Sequence, residues 1–433
     1  MLFAVLVLLH AIDLAWHRRP ASGWRALVRT HRFTIGLAIA AATAVLVRWP
    51  SLGDDIGHVP LDIDESRLAS SVRHFFVKGE LLHETVEHYP GLVFWLLTAG
   101  SLIEYLRALM NGVIRSVADA PIGLFVLAAR MTNVWIAAAT VVFTGLMGRT
   151  LSGPAAGLIA AFVVAIVPLS VQTTTVVRND PGQVLFVTAA VWASLVLRQS
   201  DRSAWGAAAG ALAGIATGIK YSSAFALVPA LLAAAARGTM TARLEPGAAA
   251  ARSGRGGMVR SALVLGAFVA AVATTNHFLW SDFPNFIRQL SDQIFVTGPK
   301  HWAAMQNPAA FYTMILGRFG PGWPLLLLAA GFGAYGLSTR RAEMWIFLAF
   351  PLLYITFMTG RPAQFPRWVY PLVPFVAVAG AAGLVAVTRI VRAHAAAQPR
   401  GLQRALLTGL TAAIAAIVLA PPALSGARRS VSV

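Results

Sequence analysis

PLDIDESRLASSVRHFFVKGELLHETVEHYPGL, residues 60–92, is the stretch whose reading decides the fold. It holds Asp62, Asp64, Glu65, Glu80, Glu84 and Glu87, six of the 17 acidic residues, together with His74, His83 and His88. The chain on either side of it is apolar. Unpaired charge in hydrocarbon is costly, so a loop this charged between apolar segments must lie in water or at the lipid surface. It follows a segment that ends at Trp49-Pro50. It reads as the first extracytoplasmic loop and as half of an active site.

Composition agrees with the membrane setting. The 433 residues are 57% hydrophobic and 12% charged, with a mean hydropathy of +0.68; a soluble protein carries about 25% charged residues. There is no cysteine, which excludes a disulfide framework and thiol chemistry. The net charge of +18 does not point to nucleic acid. The basic residues cluster in short loops between apolar segments, which is the positive-inside signal of a polytopic membrane protein.

Working outward from the acidic loop, His17 to Arg32 is basic without an acid and belongs inside, and Phe33 to Trp49 crosses outward. Met1 to Trp16 would span only about 24 Å as a helix; it lacks the basic start and small-residue cleavage site of a signal peptide. Pro121 to Met147 returns, Gly153 to Ser170 crosses out, and Pro181 to Leu197 crosses back. Trp205 to Ala236 lies between two basic loops and must be a hairpin of two short spans, with Lys220-Tyr221 near its outer tip. Ser261 to Trp280 crosses out, Phe311 to Leu337 returns with a break at Gly320-Pro321-Gly322, Met344 to Met358 crosses out, Trp368 to Val391 returns, and Ala405 to Ala420 is the last span. Pro90 to Met110 is apolar, but a full crossing there would turn every later Arg cluster outward. With Glu104 and Arg107 it reads as an interfacial or re-entrant helix.

The expectation is an all-α polytopic membrane protein of about eleven transmembrane helices, twelve if the N-terminus spans, forming one transmembrane domain over residues 1–433. A first extracytoplasmic loop with juxtamembrane helices covers 50–120, a flexible cytoplasmic loop 237–260, and a second extracytoplasmic loop 281–310. This topology puts 13 of the 17 acids outside. The outer loops then bring together Asp62, Asp64, Glu65, His88, Arg178, Asp180, Lys220, Tyr221, Arg361, Arg367 and Tyr370. Carboxylates suit a general base or a metal site. Arg and Lys suit an anionic phosphate, which Arg holds bidentately.

The pieces DIDESRLASSVRHFFVKGEL, EHYPGLVFWL, VVRNDPGQVLF, GIATGIKYSSAFALVPALL and FPRWVYPLVPFVAVAG, in this order and on this side, carry a resemblance. The chain looks like the GT-C glycosyltransferases, in the group akin to protein O-mannosyltransferases and the lipid A aminoarabinose transferase (glycosyltransferase family 39-like). The resemblance implies a GT-C bundle and inverting transfer of a sugar from a polyprenyl-phosphate donor to an acceptor protein, lipid or glycan at the outer face of a bacterial cytoplasmic membrane. It implies Asp64 as general base and Asp180 as the second outer carboxylate; Glu65 is taken with them as a catalytic carboxylate, and His88 as support. Lys220, Arg361 and Arg367 would hold the donor phosphate, with Arg178, Tyr221 and Tyr370 in support. No cofactor is required by this reading, and a divalent cation is compatible with it. The family often reads His-Pro-Pro where this chain has His88-Tyr89-Pro90, which changes the local loop shape.

Plainer readings stand beside these. Asp64 and Asp180 could cap helices, Asp180-Pro181 as cap and first helical residue. Lys220 could reach to headgroups, and Arg361 and Arg367 could be interfacial anchors. Gly210-x-x-x-Gly214 reads as helix packing. A transporter or flippase of a lipid-linked or anionic solute is the alternative function, but it would place charge at mid-membrane, and segments such as Gly153 to Pro168 have none.

Overall fold

The structure is a computed structural model, and it describes residues 24–54, 56, 63–80, 91–200, 202–236, 248–276, 278–295, 307–361, 364–398, 401–410 and 412–413. Among the described residues every regular element is helical. Asp62 and His88 lie outside the described residues, as do Met1 to Trp16 and most of Ala405 to Ala420.

Helix α1 (Trp24–Arg48) runs into a short 3-10 turn (Trp49–Gly53), and α2 (Ile63–Lys78) opens with Asp64 and Glu65 in its first turn. Helix α3 is Gly91–Met110 and α4 is Ile122–Ser152. At 1.5 Å per residue the 31 residues of α4 are about 46 Å long, more than the roughly 30 Å of hydrocarbon. Helices α5 (Pro154–Ile166) and α6 (Pro168–Thr174) meet at a 55° bend. Pro168 supplies no N–H, so the ladder breaks there. Helix α7 (Asp180–Gln199) follows, and its flank is almost wholly buried.

Helix α8 (Ala204–Thr217) and α9 (Leu227–Ala236, entered through a 3-10 turn at Tyr221–Ala226) both pack on α10 (Ala248–Thr275). The contacts give their directions. A Cβ on Gly214 would lie 2.5 Å from the Phe268 carbonyl oxygen, one on Gly218 would meet Thr275, and Gly257 faces the Ala234 carbonyl. So α8 runs with α10 and α9 runs back: a hairpin with Lys220 in its turn. Gly210 and Gly214 pack against the α10 backbone at Val264 and Phe268, which is the packing role small residues take between membrane helices. Residues 248–260 are helical from Ala248 onward. The expected flexible loop over 237–260 is therefore shorter, because the Ala run favours helix.

Beyond α10 come α11 (Phe278–Ser281), the amphipathic α12 (Phe283–Phe295), α13 (Pro308–Arg318) and α14 (Trp323–Ser338). The break at Gly320-Pro321-Gly322 turns the chain by 118° between α13 and α14, so the expected single span Phe311 to Leu337 is two helices in different directions. Gly322 has φ +94, a conformation open to glycine. Helix α15 (Ala342–Thr359), a 3-10 turn (Pro366–Leu372) and α16 (Val373–Ala396) complete the bundle.

Seven described helices are long and apolar enough to cross a membrane, up to nine if each bent pair is one span, and α8 and the Tyr221–Ala236 segment are shorter apolar helices. The chain is a multi-pass membrane protein. Helix α3 passes the same test of length and hydropathy, but both of its ends lie at one end of the bundle. Leu92 N donates to Gly218 O at 3.2 Å at the hairpin tip. At the other end Ala108 packs with Ile114, Ala120 and Phe125, just before and inside the start of α4. Helix α3 therefore lies across that end of the bundle, over α2, where Phe75 meets Phe94 and Phe76 meets Tyr105 edge to face.

Candidate functional site

The ends of α1, α8 and α15 and the starts of α2, α4, α7 and α16 meet at this same end. Asp64, in the first turn of α2, accepts from Arg367 with Oδ2 3.1 Å from Nη2. Arg367, in the turn before α16, reaches on to Asp180, its Nε 3.9 Å from Oδ2. Asp180 Oδ1 accepts from Lys220 Nζ at 2.8 Å. The result is a chain of alternating charge, Asp64–Arg367–Asp180–Lys220, assembled from four separate elements. Three of its members are partly exposed and one is sealed: side-chain exposure is 16% at Asp64, 24% at Arg367, 14% at Lys220 and 1% at Asp180. A carboxylate as buried as Asp180 needs paired cations, and it has two. This weighs against the capping reading of Asp180: its oxygens go to Lys220 and Arg367, and Asn179, the residue at the cap, makes no side-chain cap bond.

Glu65 has a different setting from the one expected of a catalytic group. Its Oε1 accepts from Arg130 Nη2 at 2.7 Å and its Oε2 from Arg130 Nε at 3.0 Å and from Val177 N at 2.9 Å. Both side chains are 1% exposed. Arg130 also donates to the carbonyls of Leu52 (3.1 Å) and Asp54 (2.6 Å). With its oxygens so committed and sealed from solvent, Glu65 fixes the start of α2 against α4 and the Val177 strand of chain, and so fixes Asp64 beside it. It is a positioning residue here. Asn133, one turn along α4 from Arg130, holds the same segment through Val176 O at 3.0 Å.

Arg178 is half-buried near Asp180 and adds to the positive field on it. Tyr221 is buried beside Lys220, its hydroxyl accepting from Asn276 at 2.9 Å and its ring edge-on to Phe286 of α12. Tyr370 is fully buried, with its hydroxyl 3.3 Å from Ser170 Oγ. Arg361 stacks over Phe357 at 4.5 Å, and burial draws its guanidinium below its ordinary pKa. Among the described residues no three of His, Asp and Glu converge as a metal site.

Arg48 was not singled out from the sequence, and it is fully buried. It donates to Ala44 O and Ala165 O at 2.8 Å, to Ser170 Oγ at 2.8 Å and to Thr174 Oγ1 at 2.6 Å. The logic lies in the α5–α6 break. Leu169 N is turned away to Phe319 O at 2.8 Å, so Ala165 O lacks its helical donor and Arg48 replaces it. Arg48 thus fastens α6, which leads to Asp180, and through Ser170 it touches Tyr370, three residues after Arg367. Arg130 and Arg48 sit within segments read as spans, and an ionisable residue in a span is itself a signal.

The apolar helices are those of a multi-pass membrane protein, and its charged groups gather at one end of the bundle. Residues 122–247 match the family described as dolichyl-phosphate-mannose-protein mannosyltransferase. The fold is similar to the oligosaccharyltransferase AglB from Archaeoglobus fulgidus, solved with an inhibitory peptide and a dolichol-phosphate. The TM-score is 0.61 at 14% identity, over 92% of this chain and 55% of that one. It is also similar to ArnT from Cupriavidus metallidurans bound to undecaprenyl phosphate, with a TM-score of 0.53 at 16% identity, over 91% of this chain and 74% of that one. The chain thus spans little more than half the length of AglB. No curated protein matches. The family match covers less than a third of the chain, and the likeness to the two solved structures is one of fold.

Proposed function

We propose that this protein transfers a sugar from a polyprenyl-phosphate donor to an acceptor hydroxyl at the extracytoplasmic face of a bacterial cytoplasmic membrane, with inversion. The observation that carries the reading is the Asp64–Arg367–Asp180–Lys220 chain at one end of an apolar bundle. Asp64 is the most exposed of the two carboxylates and serves as general base. The acceptor oxygen attacks the anomeric carbon, its proton passes to Asp64, and the bond from that carbon to the phosphate oxygen breaks with its electron pair. The leaving lipid phosphate gains negative charge, which Lys220 and Arg367 stabilise, with Arg361 contributing from the adjacent turn. Arg binds phosphate bidentately.

Purified protein in nanodiscs, given labelled polyprenyl-phosphate sugars, tests this. The wild type consumes one of them, and Asp64→Asn loses about 10²–10⁴-fold in turnover while still binding the donor. Near-wild-type turnover in Asp64→Asn removes Asp64 as the base.

A further inference from the structure

Helix α2 carries a second polar feature that the transfer chemistry does not use. Ser70, Arg73, His74, Val77 and Lys78 recur at helical spacing along one face, and with Ile122 at the start of α4 they line an open cleft of about 590 Å³. Three of its six lining residues are basic types and none is acidic. Among the described residues Arg73, His74 and Lys78 make no ion pair with a carboxylate. Arg73 is anchored by Nε to Ala120 O at 3.1 Å, which leaves its terminal nitrogens to the cleft. Asp119, the nearby acid, is engaged by Ser116 through both its N (3.0 Å) and Oγ (2.9 Å). Among the described residues the cleft thus gathers basic side chains without a carboxylate partner.

Its surroundings are lipid-like. Val77 and Ile122 give it an apolar wall. Helix α3, packed across α2, exposes Leu102, Ile103, Leu106 and Met110, and exposed apolar surface next to a membrane span lies in lipid. Cations beside an apolar wall at the end of a bundle suit an anionic headgroup with its chain in the bilayer.

We infer that this cleft binds the phosphate of an anionic membrane lipid. It is separate from the Asp64 site: Arg73, nine residues beyond Asp64, lies about 14 Å along the helix and about 180° around it.

The test uses the full chain in phosphatidylcholine nanodiscs with and without phosphatidic acid, and native mass spectrometry to count retained lipid. Wild type retains phosphatidic acid over phosphatidylcholine. Arg73→Gln with Lys78→Gln loses about thirtyfold in retention, taking each cation near a membrane surface as roughly a fivefold step. Lys78→Glu, in the exposed last turn, lowers retention without touching the Ala120 anchor. Inorganic phosphate up to millimolar concentration leaves the retained lipid in place if the source is a lipid; displacement by it shows a free-phosphate site and overturns the lipid assignment. Equal retention by wild type and both variants overturns the cleft.

Discussion

Replacing Glu65 by Gln tests the idea that the site is held by a buried ion pair rather than by the bundle alone. The amide keeps the shape and one acceptor oxygen for Val177 N, which now bonds at 2.9 Å. It removes the charge and turns a donor toward Arg130, whose Nε and Nη2 now lie 3.0 and 2.7 Å from the carboxylate. Arg130 is 1% exposed, so it keeps a full charge in the interior with only the Leu52 and Asp54 carbonyls. Removing one partner of a buried pair costs about 3–5 kcal/mol, a shift of roughly two to four tenfold steps in the unfolding equilibrium. Unfolding in mixed dodecyl sulfate micelles, followed by tryptophan fluorescence, measures it. The double variant Glu65→Leu with Arg130→Met is expected to regain up to about 2 kcal/mol of the loss. Apolar replacement of both ions removes the desolvation penalty, and what remains is the Val177 N–H and two carbonyls left without partners, about 1 kcal/mol each. The single variant should also lose transfer activity out of proportion to its folded fraction, because Asp64 is the next residue. A Glu65→Gln protein within 1 kcal/mol of wild type, or a double variant worse than the single, refutes the argument.

Lys220→Met and Arg367→Gln should each weaken donor binding by about 1.5–3 kcal/mol, the range for a hydrogen bond to a charged group; unchanged donor titrations move the phosphate to another face. Arg48→Met should destabilise by about 1–3 kcal/mol, since Ala165 O is left buried without a donor, and the same micelle unfolding reads it; equal stability shows that α6 is fastened by other contacts. Because the chain has no cysteine, single cysteines at Ser70 and Arg252 report sidedness directly, and an impermeant thiol reagent should label the first from outside and the second only from inside. Labelling of both from one side inverts the topology.

What the sequence by itself determined is which groups share one end of the bundle. Apolar run lengths and the Arg-rich short loops are local properties, and they sufficed to set Asp64, Asp180, Lys220 and Arg367 at one end of the bundle and to read Trp205 to Ala236 as a hairpin. They also kept α3 from being counted as a crossing, because its inversion of all later Arg clusters was visible in the charge pattern alone. Partnership was not legible. Arg130 and Glu65 are 65 residues apart, Lys220 and Asp180 are 40, and Arg48 and Thr174 are 126; which of several outer charges meet depends on how the helices pack, and packing at Gly214 or at the Pro168 break follows from contacts between distant segments. Tertiary structure therefore decided that Glu65 is sealed with Arg130 while its neighbour Asp64 faces Arg367, since adjacent residues on a helix point about 100° apart. It also decided that the Gly320-Pro321-Gly322 break turns the chain by 118°. A Gly-Pro-Gly sequence states that a helix ends, and only the neighbouring helices settle the direction in which the next one leaves.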